Sequence, residues 1–340
     1  MEIRWKIFSL PLASAFTISK GTFTHRKAMI LQLRHEGKVG LGEATEISYY
    51  GISLADLGQI IESRRQQLEE IELTTPALYR ERIKTLVGDH PFLLCAFDCA
   101  AHDLYGKISK STTLENLGLK RTFTPTSFTL GIGSPTEIIT KLKARPWPIY
   151  KIKLGSEKDI EIMQRIRSET NAILRVDANG GWLAEQVVPF SKELHDLDVE
   201  FIEQPLQQSD DDKMPALINE VAVPLMADES CHTFDSVSTC EGKFHAINIK
   251  LMKCGGITPA LKMIEKARSL NLKVMIGCMT ESSIGISAAA QLIPLVDYVD
   301  LDGSLLIKED IATGVHFKNG IPIFSEAPGL GCQLSPTHAF

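Results

Sequence analysis

Cysteine pairs at metal-ligand or redox spacing are missing from this chain. Its seven cysteines, Cys95, Cys99, Cys231, Cys240, Cys254, Cys278 and Cys332, stand at irregular intervals without a single C-x-x-C pair. That leaves no support for a zinc knuckle or a dithiol redox motif and predicts reduced, mostly buried thiols. A surplus of positive charge is missing too: 36 Lys and Arg face 42 Asp and Glu, for a net charge of −6. A phosphate binder needs a basic surface, so no nucleic-acid partner is expected. No apolar run approaches the roughly 20 residues of a membrane-spanning helix, so no membrane partner is expected either. The opening Met-Glu-Ile-Arg-Trp-Lys (1–6) lacks the charged-then-apolar plan of a signal peptide, and a cytoplasmic location is the expectation. Strong internal repetition is also lacking. What is present is an ordinary globular composition, 44% hydrophobic and 23% charged, over 340 residues, enough for one large or two ordinary domains.

Hydrophobic periodicity divides the chain. Residues 1–50 read as a β-meander, with alternation at Met29–Arg34, a turn at Glu36-Gly37 and renewed alternation from Val39. Three helical patterns follow, at 54–70 behind the N-cap Ser53, at 75–87 and at 91–106; the last is apolar nearly all round and should be well buried. From about residue 125 the rhythm becomes strand, turn, helix, turn. Candidate strands are 126–132, 149–154, 172–177, 199–203, 224–227, 246–250, 273–277 and 298–301, with helical patterns at 135–145, 157–169, 183–195, 256–269 and 283–292. Eight such units predict an α/β fold, a (β/α)8-type TIM barrel over 121–309. The stretch 1–120 is predicted to be an α+β cap, and 310–340, with short strands and Gly/Pro turns, is predicted to return to it.

Acids and bases punctuate the barrel region at almost even steps. From Lys153 to Asp177, Glu203, Asp228 and Lys250 the intervals are 24, 26, 25 and 22 residues, and each residue closes a short apolar run. A barrel presents a catalytic set in this way, one residue per strand end on a common face. Three carboxylates meeting at one point repel each other unless something neutralises them. A hard divalent cation does so, and Mg²⁺ suits a few carboxylates plus substrate oxygens, whereas Zn²⁺ would want His or Cys. The alternative is three unrelated acids that cap helices or pair with lysines. Lys151 and Lys153 lie two apart on one strand and point the same way, so each ammonium should depress the other's pKa toward that of a general base. Lys250 ends the sixth strand, across the barrel. A base on each face of a metal-held carboxylate would take the α-proton from one side, leave an enediolate, and return a proton to the other side, inverting the stereocentre. Structural salt bridges are the plainer reading of the lysines.

The series Lys-x-Lys, Asp-x-Asn, Glu-Gln-Pro, Asp-Glu-Ser and Lys-x-x-x-Gly-Gly, taken as a set, resembles the enolase superfamily in its muconate-lactonizing-enzyme subgroup, over nearly the whole chain. The resemblance implies a modified (β/α)7β barrel with a cap. It makes Asp177, Glu203 and Asp228 ligands of one Mg²⁺, Lys153 and Lys250 the acid/base pair, and Lys151 the residue that tunes Lys153. Lys253 is not the matching lysine. The subgroup includes cycloisomerases, o-succinylbenzoate synthases, N-acylamino-acid racemases and dipeptide epimerases. Asp300 and Asp302 share a face at the end of the eighth strand, where two carboxylates would suit a free α-ammonium group and repel a muconate. Dipeptide epimerases carry such an Asp-x-Asp, so a dipeptide is the expected small-molecule partner, Ala-Glu or similar, in peptidoglycan turnover or dipeptide breakdown. A cycloisomerase or synthase on the same scaffold, or a barrel that only binds, are the rivals. Homo-oligomers are common in such families.

The remaining candidates stay open between two readings. Asn179 is either near the metal shell or a turn residue before Gly180; Glu229 either supports the ligands or faces away. Cys278 and Thr280, after the seventh strand, line the site in similar proteins, although Cys278 also reads as a small packed side chain. Thr129 is a pocket candidate. Lys20 and Arg26, in the cap loop 18–27, would bind a side-chain carboxylate or else be solvated; Lys lacks the fork of the arginine expected at 20. Gly255-Gly256 reads as a tight turn rather than a phosphate cradle, and His232 and His245 as packing residues.

Overall fold

A computed structural model describes residues 1–18, 21–156 and 158–340, so Lys20 lies outside the described residues. Strands β1 (Glu2–Ile18), β2 (Gly21–His35) and β3 (Lys38–Thr45) form an antiparallel sheet in that order. The β2–β3 hairpin turns at Glu36 (φ 47°) and Gly37 (φ 76°), two left-handed residues whose twist matches that of the strands. Three helices follow, α1 (Leu54–Glu69), α2 (Pro76–Val87) and α3 (Pro91–Ser109); α1 and α3 pack on the sheet, and α2 packs against both of them. Ser53 caps α1 by accepting the Asp56 N–H, and Thr75 caps α2 through the Leu78 N–H. Helix α3 is buried along most of its length, as its all-round apolar pattern predicts. It lies so close to β3 that a Cβ on Gly42 would sit 1.9 Å from the Ala96 carbonyl oxygen. Asp103 ties α3 outward, accepting the N–H groups of Leu41 at 2.9 Å and Leu330 at 2.8 Å.

Eight parallel strands follow: β4 (Phe128–Leu130), β5 (Ile149–Lys153), β6 (Ile173–Asp177), β7 (Val199–Glu203), β8 (Leu225–Ala227), β9 (Ala246–Lys250), β10 (Lys273–Gly277) and β11 (Tyr298–Asp300). Every strand pairs with the next in sequence. The ring closes where Ser127 N–H reaches the Val299 carbonyl at 3.2 Å and Leu301 N–H reaches Thr126 Oγ1 at 2.7 Å. Helices at Pro135–Ala144, Asp159–Arg167, Ala184–Asp196, Ile257–Ser269 and Ser283–Ala290 match the expected ones closely. After β7 there is only a 3₁₀ turn, Gln208–Lys213, running into the short helix Met214–Leu217, and after β11 only the 3₁₀ turn Gly303–Leu306. The latter is what makes the last unit a bare strand. The tail pairs Ala312–Thr313 with Gln333–Leu334, exchanges hydrogen bonds with Ser111 and Thr113 through Gly329, and lays the Phe340 ring 6.0 Å from Phe8.

The Gly255-Gly256 turn is a close approach. Gly256 (φ 116°) would drive a Cβ to within 2.4 Å of Asp98 Oδ2. That carboxylate of α3 accepts the Thr258 N–H at 2.9 Å and so occupies the helix N-terminus that a phosphate would need.

Candidate active site

Side chains alternate across a strand, and the inward faces of the barrel therefore stack in layers. Phe201, Met226, Ala246, Met275 and Tyr298 form a separate apolar cluster inside the ring. Two residues further along four of those strands stand Glu203, Asp228, Asn248 and Asp300, and Lys250 follows Asn248. The charged layer thus stands at the C-terminal ends of the strands, above a largely apolar floor in which the Arg175 guanidinium lies over the Phe201 and Tyr298 rings.

Asp177, Glu203 and Asp228 meet there, all fully buried, with one carboxylate oxygen from each within 4.8 Å of the others. Lys151 Nζ sits among them, 3.0 Å from Asp177 Oδ2, 2.7 Å from Glu203 Oε2 and 2.9 Å from Asp300 Oδ2. Lys153 Nζ donates to Asp177 Oδ2 at 2.6 Å and Lys250 Nζ to Asp228 Oδ2 at 2.7 Å. β5 and β9 are four places apart in a ring of eight, so these two lysines enter from opposite walls. The Lys151 contact to Glu203 Oε2 lacks the alignment of a hydrogen bond, and that buried oxygen is otherwise unpartnered. A set of three buried carboxylates with an unsatisfied oxygen suits a hard divalent cation, and it is the one such group among the described residues.

Burial and Asp177 push Glu203 up to about 7. Burial also opposes ionisation of Asp228, but Lys250, Lys253 and Lys151 outweigh it and hold that carboxyl well below its usual range. The expected mutual depression of the lysines is not what prevails at Lys151. Burial does pull it down, yet Asp177, Asp300, Glu203 and Asp228 together lift it well above the ordinary value. Lys250 is lifted likewise, against burial, chiefly by Asp228. Four carboxylates surround Lys151, and their charge outweighs that of the neighbouring ammonium groups.

Beside this layer lies a pocket that brings Thr129, Lys151, Lys153, Lys250, Cys278, Thr280, Asp300, Asp302 and Arg26 together. Phe16, Ile18, Ile47, Met279 and Leu306 supply its apolar wall. The two aspartates differ. Asp300 is held by Lys151 and by Ser127 Oγ at 2.5 Å; burial opposes its charge, but Lys151 brings it down to about 2. Asp302 takes the Thr129 N–H at 2.6 Å, and burial with the Asp300 charge raises it to about 6. Arg26 lies over the Phe23 ring at 4.4 Å and donates to the Glu46 carbonyl at 3.4 Å, so its guanidinium is already engaged. Burial pushes the Cys278 thiol well up, as befits a packed side chain.

Asn179 is a left-handed turn residue (φ 46°), its N–H donates to Asp177 Oδ1 at 3.0 Å, and its amide reaches Glu229 Oε1 at 3.3 Å. Burial, with Asp228 and Asp177, raises Glu229. His232 packs edge-on to Tyr50 at 5.5 Å, and His245 Nδ1 accepts the Leu225 N–H at 3.0 Å. Three residues that were not site candidates in the sequence, Lys253 having been set aside as not the matching lysine, hold the acids in place. Gln204 Oε1 accepts the Asp228 N–H at 2.9 Å, Asn248 donates to Glu203 Oε1 at 2.8 Å, and Lys253 Nζ lies 2.5 Å from Asp228 Oδ1. Asn248 had one available signal, its place two residues before Lys250 on an inward face.

Comparison with known proteins places this geometry. The enolase C-terminal domain-like family matches residues 137–338. The L-Ala-D/L-amino acid epimerase of Maribacter sp. is 43% identical over 98% of this chain and 100% of its own length. The enzyme of the same name from Flavobacterium johnsoniae is 42% identical with the same coverage. A crystal structure of dipeptide epimerase from Enterococcus faecalis, complexed with Mg and L-Leu-L-Tyr, superposes with a TM-score of 0.92 at 30% identity, covering 97% of this chain and 98% of that one. An eight-stranded barrel with a buried acid trio between two opposed lysines, together with these relatives, shows that the chain belongs to the enolase superfamily.

Proposed function

We propose that this protein is a Mg²⁺-dependent dipeptide epimerase that inverts the α-carbon of the C-terminal residue. The observation that carries the reading is the opposition of Lys153 and Lys250 across the pocket, with the acid trio beneath them. Inversion needs a proton donor and an acceptor on opposite faces of one carbon, and no single base supplies both. Asp177, Glu203 and Asp228 would hold the metal. When bound, Mg²⁺ stabilises the negative charge that gathers on the substrate carboxylate as the α-proton leaves, and it competes with the lysines for the charge of the trio.

Lys153 Nζ then takes or gives the proton on one face, and Lys250 Nζ does the converse on the other. Lys151, tied to three carboxylates, keeps its proton and adds positive charge next to Lys153. Asp302 receives the dipeptide ammonium. Asp300 contributes less to that contact, because Lys151 already compensates its charge. Thr129, Cys278 and Thr280 shape the cavity, Asn179 and Glu229 steady the ligand loops, and Arg26, which lies on β2 and not in the expected cap loop, helps with Lys20 earlier in the cap to select the side chain. The cap comprises 1–120 with 310–340, and 121–309 is the catalytic barrel. Seven free thiols support a reducing compartment such as the cytoplasm, and Ala-containing dipeptides from peptidoglycan turnover are fitting substrates.

The test is chiral analysis of Ala-X dipeptides incubated with the enzyme and Mg²⁺. Conversion of L,L to L,D that stops on chelation is expected; unchanged stereochemistry across a panel of side chains would overturn the reading.

A further inference from the structure

One buried ammonium stands outside the pocket and grips an acid of the trio from behind. Lys253, 3% exposed, lies on the short helix Leu251–Cys254, which begins directly after Lys250. Its Nζ meets three oxygens: Asp228 Oδ1 at 2.5 Å, the Asp228 carbonyl at 2.5 Å and the Cys231 carbonyl at 3.2 Å. An ammonium has three donors, so all of them are engaged. Two of the contacts go to one residue, and holding the carbonyl and the carboxylate of Asp228 together fixes how its side chain leaves the backbone. The Cys231 N–H closes the same turn onto the Asp228 carbonyl at 3.1 Å. The helix that carries Lys253 is anchored in the cap, where Thr45 N–H reaches Met252 Sδ at 3.2 Å and Arg80 Nε donates to the Gly255 carbonyl at 3.1 Å.

The three acids share a plan. Each has one oxygen taken by a donor other than the pocket lysines: Asp177 Oδ1 by the Asn179 N–H, Glu203 Oε1 by the Asn248 amide and Asp228 Oδ1 by Lys253. The second oxygen of each turns to the pocket lysines, Asp177 Oδ2 to Lys151 and Lys153, Glu203 Oε2 to Lys151 and Asp228 Oδ2 to Lys250. A carboxylate with one oxygen reserved offers a cation the other. The reserving donor is neutral at Asp177 and Glu203 and carries a full charge only at Asp228.

We propose that Lys253 is a positioning residue for the metal: it reserves Asp228 Oδ1 and fixes the Asp228 side chain, so that Oδ2 faces the cation. This role rests on the trio as the Mg²⁺ site of the proposed function, and not on which substrate is turned over. A role through charge alone would have the opposite sign. Removing a cation from beside three carboxylates leaves more negative charge for Mg²⁺ and should tighten its binding. Removing a clamp lets Asp228 turn away and should weaken it, as loss of a partner that orients a metal ligand does.

The experiment is calorimetric titration of Mg²⁺ into the full chain and into Lys253→Met, which keeps the reach of the side chain without its donors. The expected result is a Kd higher by roughly 10- to 100-fold in the variant. An unchanged or lower Kd would overturn the proposal. Lys107→Met is the control for lost stability, because Lys107 grips Asp103 Oδ2 at 2.6 Å and the Val39 carbonyl at 2.8 Å in the same manner, but within the cap. It should lower Tm and leave the Kd as it is; an equal weakening there would also overturn the proposal. If Lys253→Met does not fold, ¹⁵N NMR of the lysine ammonium groups gives the reading, with Lys253→Arg to assign the signal. The Lys253 signal should stay protected from solvent exchange after Mg²⁺ is added, and its loss would overturn the proposal. A natural protein that binds no Mg²⁺ would remove the metal site and this role together, whereas inactivity on every dipeptide, with the calorimetric result intact, would count against the activity alone.

Discussion

The aspartates at the end of β11 show how two residues of one type, two positions apart, acquire different duties. Asp300 is neutralised by Lys151 at 2.9 Å, while Asp302 has no cation beside it among the described residues and is held by Thr129, through its N–H at 2.6 Å and its hydroxyl. Asp302→Asn should therefore raise KM for a dipeptide by roughly 10-fold or more, as expected when one charge-assisted contact of about 1.5–3 kcal/mol is lost. Asp300→Asn should instead lower kcat, by disturbing Lys151 among its carboxylates. Steady-state kinetics on both variants check this, and equal KM effects would contradict the assignment. The residues that carry charge at strand ends were legible in the sequence, because a period of two and a spacing of 22 to 26 residues suffice to put them on one rim. Gln204, Asn248 and Lys253 were not. Their contribution is a hydrogen bond to a neighbour on another strand or turn, which no local pattern encodes. The pKa direction at Lys151 escaped for a related reason: the lysine beside it is visible in the sequence, but the four carboxylates around it come from other strands.

At the scale of elements, strand and helix positions were readable wherever side-chain periodicity was clean. All eight barrel strands fall within one or two residues of expectation. The segment after β7 resisted, since Gln208–Leu217 carries a 3₁₀ turn and one helical turn, too short for a 3.6-residue period to show. The contact of β3 with α3 is where backbone geometry exerts most control. Gly42→Ala would place a methyl 1.9 Å from the Ala96 carbonyl oxygen, and backbone on both sides resists movement. Overpacking of that kind costs typically 1–3 kcal/mol, so the variant should unfold at measurably lower denaturant concentration. An unchanged midpoint would mean that the close approach is unnecessary.

For the whole molecule, a cation held by the acid trio would make stability depend on the metal. Four ammonium groups, those of Lys151, Lys153, Lys250 and Lys253, now compensate the carboxylates of the layer. A cation that binds only the folded chain adds stability by mass action, about 2.7 kcal/mol at 100 times its Kd. Thermal scans should show Tm rising with Mg²⁺ and dropping on chelation. Glu203→Gln, which removes one ligand charge, should blunt that rise; a Mg²⁺-independent Tm would count against the trio as a metal site. The cap-and-barrel plan could be anticipated from the change of rhythm near residue 125, but the return of Phe340 to Phe8 rests on contacts between the two ends of the chain.

Two amines that address opposite faces of one carbon leave an isotopic record: the enzyme run in D₂O with Mg²⁺ and an Ala-X dipeptide, with deuterium at the C-terminal α-carbon followed by NMR, should show exchange with inversion. Lys153→Ala and Lys250→Ala should each lose inversion by at least ~10²-fold, and each variant should retain at most exchange of one stereoisomer. Inversion that persists in either variant, or no exchange in the natural protein, would contradict the opposition of the two amines.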